Sequence, residues 1–330
     1  MKVIRFHKTG GPEVLQFDDV DIGKPKGYEV LFKVKAFALN QADILFINGY
    51  HYTQPIFPSR IGSEATGEVV EVGEKVSKFK KGDKVTSIPF YTQKYGVQGE
   101  YATVLEDYLT KIPEGYRIEE ATSFWMQFLT AYYAFFKIGK VQKGDYVFIP
   151  ATSGTAGQGA LKIAKDAGAR VIGSTRTQAK KQFLLELGAE HVIVTEIENT
   201  LERLKEISAQ KGIKFTFDPI GSTEFNQLYM SVLSFGGSAA IYGLLSGEFP
   251  VFPLLDLVRK NTTLHAYSMF NHVMFKDQLE EGKSYVLERI QKGGLRPIID
   301  KVFDFNNTID AYNYMLSNRQ KGKIVVKVSS

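Results

Sequence analysis

The stretch PATSGTAGQGALKIAK, beginning at Pro150, sets Gly154, Gly157 and Gly159 between an apolar run and an amphipathic one. Glycines at such a junction let the main chain approach a ligand that a Cβ would hold away. The N–H groups at the start of the following helix favour negative charge, so a bound phosphate is the chemistry this turn suits. The spacing is Gly-x-x-Gly-x-Gly and departs from the usual Gly-x-Gly-x-x-Gly. A plainer reading is that small residues here let a helix pack on its sheet.

The next strand ends in VIGSTRTQAKK. A site selective for NAD usually has a carboxylate there, about 20 residues beyond the glycines, to take the ribose hydroxyls. Here Ser174, Arg176, Lys180 and Lys181 stand instead, with no Asp or Glu. A hydroxyl beside cations suits a 2′-phosphate, so the sequence reads as a binder of NADP(H) rather than NAD(H). The alternative is the solvated start of a helix over 178–188.

Three aromatic stretches could face a planar substrate. NGYHYTQPIFP supplies Tyr50, His51, Tyr52 and Phe57; PFYTQKY supplies Phe90, Tyr91 and Tyr95; FWMQF supplies Trp125, Met126 and Phe128. Flat apolar walls suit flat ligands, although aromatic residues of β domains mostly form core. Tyr50 and Tyr52 are the candidate catalytic proton donors or substrate hydrogen-bonders.

These residues need elements to place them. The first 120 or so residues read as β-rich, from alternation and Gly/Pro punctuation. Short strands at 29–39, 66–73, 82–88 and 100–113 suggest a barrel-like domain. From Glu119 a mostly buried helix is expected, and then strands and helices alternate. Strands at 145–151, 169–175, 191–196, 215–221 and 237–243 are separated by amphipathic helices, with TLHAYSM (263–269) as a last strand. Apolar strands between such helices indicate a parallel sheet covered on both faces. The tail returns to β character in IIDKVFDF and GKIVVKV and is expected to rejoin the first domain.

Composition narrows the chemistry. There is no cysteine, which removes disulfides, thiol catalysis and thiolate metal sites together. The five histidines are scattered, without the i, i+4 pair of a helical metal site, so no metal is expected. A net charge of +5 without a dense Lys/Arg block does not specify nucleic acid, and a small anionic ligand fits it equally. No apolar run is long enough to cross a bilayer, and MKVIRFHKTGG lacks the core of a signal peptide, so a soluble cytoplasmic protein is expected.

With the βαβ run in place, the sequence resembles the medium-chain dehydrogenase/reductase superfamily, and within it the zinc-free, zeta-crystallin-like quinone reductases. The resemblance covers nearly the whole chain. It rests on GGPEVLQFDDV, ALNQAD, GSEATGEVVEVGEKVSKFKKGDKV, FLTAYYAF, the glycine turn, FDPIGS and GKIVVKV. It implies an α/β protein, with a Rossmann doubly wound parallel sheet inserted in a GroES-like β-barrel domain built from both chain ends. The expected division is 1–122 with 271–330 for the barrel and 123–270 for the Rossmann domain. It also implies a homodimer or homotetramer.

Zinc-bearing relatives carry a Cys where this chain has Asn40, and Gly-His-Glu where it has GSE at 62–64. Asn40 and Ser63 are poor zinc ligands. Without a Lewis acid, the acceptor should be one whose reduced form is stable by itself, as a quinone is. The implied function is NADPH-dependent quinone reduction. A reductase of alkenals, enones or enoyl thioesters is the alternative, and a turnover-free NADPH sensor or nucleic-acid binder is a third reading.

The resemblance places Thr130 near the nicotinamide, Asn40 against the nicotinamide ribose or the substrate, and Thr155, Ala156 and Gly157 along the pyrophosphate. Asp218, Tyr242 and Gly243 fall at strand ends near the cofactor. Trp125 and Phe128 join Tyr50, Tyr52 and Asn40 as candidate substrate contacts. The sequence departs from the group's pattern at Gln41, where a proline is usual, at Leu45, where an aromatic is frequent, and at Thr195, where a tyrosine often touches the adenine-side phosphate.

Overall fold

The alternating stretch from Glu29 becomes a ten-residue strand, Glu29–Ala38, in a computed structural model that describes residues 1–90 and 93–328. Its polar face fades because neighbours cover it along its whole length. The strand Glu64–Val72 pairs antiparallel on one side, with Glu64 opposite Ala38. On the other side Tyr101–Leu105 takes the first half, and Lys323–Lys327 takes the second with Val325 opposite Ala38. Ile299–Asp304 adds in parallel beyond the C-terminal strand, and Lys84–Ser87 and Leu109–Lys111 extend the far side, completing a seven-stranded sheet. Phe32, Val34, Phe37, Val69, Val104 and Val326 are buried in its core. A smaller sheet joins Leu15–Asp19, Lys2–Phe6 and Ser59–Arg60.

The chain divides into two units, Met1–Met126 with Arg296–Ser330, and Gln127–Leu295. The second unit holds six parallel strands in the spatial order His191–Val194, Arg170–Thr175, Tyr146–Ile149, Ile213–Asp218, Leu233–Ile241, Thr263–Ala266. Numbered along the chain, that order is 3-2-1-4-5-6, the doubly wound arrangement whose ligands bind at the carboxyl ends beside the first strand. Val147, Phe148 and Ile149 are fully buried, as a central strand covered on both faces requires.

Two expectations are corrected. The single helix expected from Glu119 is divided into Ile118–Ala121 and Trp125–Tyr132, and the latter continues as a wider π-type turn over Tyr133–Ile138. The Thr122 and Ser123 hydroxyls donate back to the carbonyls of Ile118 and Glu119, at 2.6 and 3.1 Å, which competes with helix continuation. The return to the first unit comes at 296, not 271. Helix Lys276–Gln291 belongs to the second unit: Tyr133 Oη donates to the Gln278 carbonyl at 2.9 Å, and Arg289 Nε to Asp166 at 2.6 Å. Among the described residues no helix is long and apolar enough to cross a membrane.

Candidate functional site

The central strand Tyr146–Ile149 runs into a turn in which Ala151 takes a left-handed φ of +48°. Thr152 locks that turn. It is fully buried; its Oγ1 donates to the Ile149 carbonyl and accepts the Ser174 N–H at 2.9 Å, while its own N–H donates to the Ser174 carbonyl at 2.9 Å. Gly173 makes room for it, since a Cβ there would lie 2.7 Å from Thr152 Oγ1. Neither residue was singled out from the sequence.

Helix Thr155–Asp166 starts from Gly154, an extended N-cap without a side-chain cap. The start of such a helix presents main-chain N–H groups and the positive end of the helix dipole, which suit an anion. The three glycines have different reasons. A Cβ on Gly154 would meet only the Ala151 carbonyl, at 3.3 Å, so this position is open to a ligand. On Gly157 it would lie 2.6 Å from Thr152 Cα, and on Gly159 2.8 Å from the Gln127 carbonyl. Close packing of the helix requires glycine at those two positions, as the plainer reading of the sequence has it.

At the end of the next strand Arg176 is exposed and Lys180 half-exposed. Lys181 is held by Glu198 at 3.2 Å. Ser174 is only 2 % exposed, because its main chain is tied inward to Thr152. Of the four residues that sequence assigned to the cationic face, Arg176 is the most exposed.

Asp218, expected near the cofactor, turns its side chain inward. It is fully buried, and its carboxylate accepts the Ile220 N–H at 2.7 Å, the Gly221 N–H at 3.4 Å and the Tyr229 hydroxyl at 3.0 Å. Burial pushes its pKa up to about 6, against those stabilising bonds. Its role is to shape the turn after the strand. That turn closes on the one carrying Tyr242 and Gly243: Tyr242 N–H donates to the Asp218 carbonyl at 2.9 Å, and a Cβ on Gly243 would lie 2.6 Å from the Pro219 carbonyl. The Tyr242 ring stacks on Phe217 with centroids 4.0 Å apart. Thr130 is buried in helix Trp125–Tyr132, and its carbonyl accepts the Tyr267 hydroxyl at 2.7 Å. The glycine turn, Arg176 and the paired turns thus gather at the carboxyl ends of adjacent strands.

In the other unit, Asn40 is the N-cap of helix Gln41–Ile47. Its N–H donates to Asp43 at 2.9 Å, and its side chain is enclosed by Glu64 and Lys323. Burial pushes the Asp43 carboxyl up to about 7, although the bond from Asn40 and the Lys323 charge oppose it. Tyr50 and Tyr52 project from the following loop, 67 % and 58 % exposed, and Tyr52 stacks on His51. Trp125 and Phe128, expected as substrate contacts, have no exposed surface. Tyr91 lies outside the described residues.

Sequence reasoning passed over Lys323 and the Glu64 carboxylate. The signals were the glutamate of GSE and a lysine opening the otherwise apolar strand GKIVVKV. The residues at the positions of the zinc ligands do not fit a zinc ion. Asn40 and Ser63 offer weak donors, and the Glu64 carboxylate is held by a lysine ammonium.

Residues 26–114 match the alcohol dehydrogenase GroES-like domain, and residues 156–284 match the zinc-binding dehydrogenase family. The chain is 28 % identical to a quinone oxidoreductase of Sus scrofa, over 99 % of this chain and 97 % of that protein. It is 30 % identical to quinone oxidoreductase 1 of Escherichia coli strain K12, over 89 % of this chain and 88 % of that one. Among solved structures, an Escherichia coli quinone oxidoreductase complexed with NADPH superposes with a TM-score of 0.91 at 26 % identity, over 99 % of this chain and 100 % of that one.

Proposed function

Because the chain belongs to the medium-chain dehydrogenase/reductase superfamily, in its zinc-free quinone oxidoreductase group, we propose that it is an NADPH-dependent quinone reductase of the cytoplasm. The observation that carries the cofactor choice is an exposed Arg176 where an NAD site would have a carboxylate, beside a glycine turn open at Gly154. Full-length similarity to proteins named quinone oxidoreductase supports the acceptor.

The start of helix Thr155–Asp166 takes the pyrophosphate through its dipole and main chain around Thr155 and Ala156, and Arg176 with Lys180 takes the 2′-phosphate. The packing at Gly157 keeps that helix start against its strand. Tyr242, Gly243 and Thr130 line the path toward the nicotinamide end. When bound, NADPH supplies the hydride, and the quinone's gain of aromaticity on reduction supplies the driving force. Asn40 offers an amide hydrogen to an oxygen of the reacting pair. Tyr50 and Tyr52, on an exposed loop, donate protons to the reduced oxygens and recover them from bulk water. No step passes through a metal, since the donor set does not suit one.

The test is stopped-flow oxidation of NADPH against naphthoquinones, benzoquinones and alkenals, with and without chelator. Rapid, chelator-insensitive quinone turnover is expected. Faster turnover of an alkenal or enoyl thioester than of any quinone would move the protein to the enone-reductase reading.

We also propose that two copies associate through the outer edge of the parallel sheet. Among the described residues, Thr263–Ala266 ends that sheet with one side unpaired. Exposed apolar side chains stand in the same unit: Phe235 is 77 % exposed, Phe249 81 % and Leu255 76 %. An open strand edge and apolar surface together favour self-pairing.

A further inference from the structure

The register that sets Val325 opposite Ala38 carries Lys323 opposite Asn40, two positions beyond the paired residues. On the other flank, the register sets Glu64 opposite Ala38. Asn40 is therefore bracketed from both neighbouring strands by opposite charges. Lys323 Nζ donates to Asn40 Oδ1 at 2.6 Å and to Glu64 Oε2 at 2.7 Å. Asn40 Nδ2 donates to the same Glu64 oxygen at 3.1 Å, and Glu64 Oε1 accepts the Met126 N–H at 2.7 Å. Lys323 is 1 % exposed, Glu64 0 % and Asn40 7 %.

An ammonium can only donate and a carboxylate can only accept. The amide therefore has one orientation: Oδ1 faces Lys323, and one Nδ2 hydrogen faces Glu64. The second Nδ2 hydrogen is what remains for a ligand. The cation on Oδ1 draws electron density from the amide and strengthens that donor. A fixed donor aimed at an oxygen that gains negative charge stabilises the reduced state more than the oxidised one.

We infer that Lys323 is a positioning residue, which with Glu64 holds Asn40 as a hydrogen-bond donor to an oxygen of the reacting pair: the substrate carbonyl or the nicotinamide ribose hydroxyl. This rests on the reductase reading above. Lys323 itself touches neither ligand; it sets which face of the amide is presented.

The experiment compares Asn40→Ala, the neutral pair Lys323→Met with Glu64→Gln, and the triple variant. The neutral pair avoids stranding a buried charge, which would by itself threaten folding. A melting curve confirms that each variant folds. Steady-state kinetics with 1,4-naphthoquinone and NADPH affinity by fluorescence are then measured. The pair is expected to lose at least about tenfold in kcat/KM, as does Asn40→Ala, and the triple variant to be no worse than Asn40→Ala alone. A loss confined to kcat, with NADPH affinity held within about threefold, assigns the oxygen to the substrate; a parallel loss of NADPH affinity assigns it to the ribose. The inference is overturned if the folded pair keeps full kcat/KM and NADPH affinity, or if its loss multiplies with that of Asn40→Ala. A wild-type protein that reduces alkenals but no quinone would sink the quinone reading alone, because the same comparison then runs on an alkenal carbonyl.

Discussion

Arg176 follows, and Asp218 ends, the strands on either side of the central one, and their charges have opposite uses. Arg176 reaches solvent. Arg176→Ala is expected to raise the NADPH Kd roughly tenfold or more, while the NADH Kd stays within about twofold, since a charged hydrogen bond of ~1.5–3 kcal/mol is lost only with the phosphorylated nucleotide. Calorimetry with both nucleotides checks this. Asp218 turns inward, and its folded pKa of about 6 lies above the ordinary 3.8. Its protonated form is favoured by the fold, so its contribution is whole below about pH 4 and is lost as the pH rises through 6. Asp218→Asn should accordingly melt higher than wild type at pH 8, by up to ~3 kcal/mol of stability, and about equally at pH 4, with NADPH affinity unchanged. A loss of NADPH affinity without a gain in stability would return Asp218 to the ligand. Sequence showed both residues but not their fates, because burial of a strand's last side chain depends on what packs over it. Lys323 was hidden for the same reason: a lysine reads as solvated until strands from distant parts of the chain close around it.

At the scale of elements, strand and helix positions were largely legible, since alternation and amphipathic spacing record which faces are covered. Breaks and tight contacts were less so. The glycine turn read correctly as strand, turn, helix, yet the distances that separate Gly154 from Gly157 belong to tertiary packing. Gly154→Ala should leave the melting temperature within a few degrees while weakening NADPH binding. Gly157→Ala forces a Cβ against Thr152 Cα at 2.6 Å, so it should destabilise the folded protein by ~1–3 kcal/mol as well. Equal melting temperatures for the two variants would contradict that division. The helix expected across 119–136 failed at Thr122 and Ser123, where hydroxyls compete for the backbone.

Across the whole molecule, the two-unit plan was visible from the change of rhythm at Glu119 and the β-like tail, whereas the second boundary was not. Helix Lys276–Gln291 has a polar surface that does not announce its partner, and it is the side chains of Tyr133 and Asp166 that hold it. Leu255→Glu, on the exposed apolar surface, is expected to convert a dimer to a monomer in light scattering, with each copy still binding NADPH. Unchanged mass would remove the edge as the interface. The seating of Lys323–Lys327 beside Ala36–Ala38 has a further consequence for how the protein is made. A ribosome emits residues 127–295 before Lys323–Lys327 exists, so the inserted unit can settle early while the barrel waits, one seam open, for that strand to emerge. A message cut short by a few codons before Lys323 would thus yield a chain with an intact nucleotide fold and an unfinished partner, exposing the edge of Glu29–Ala38 to quality control.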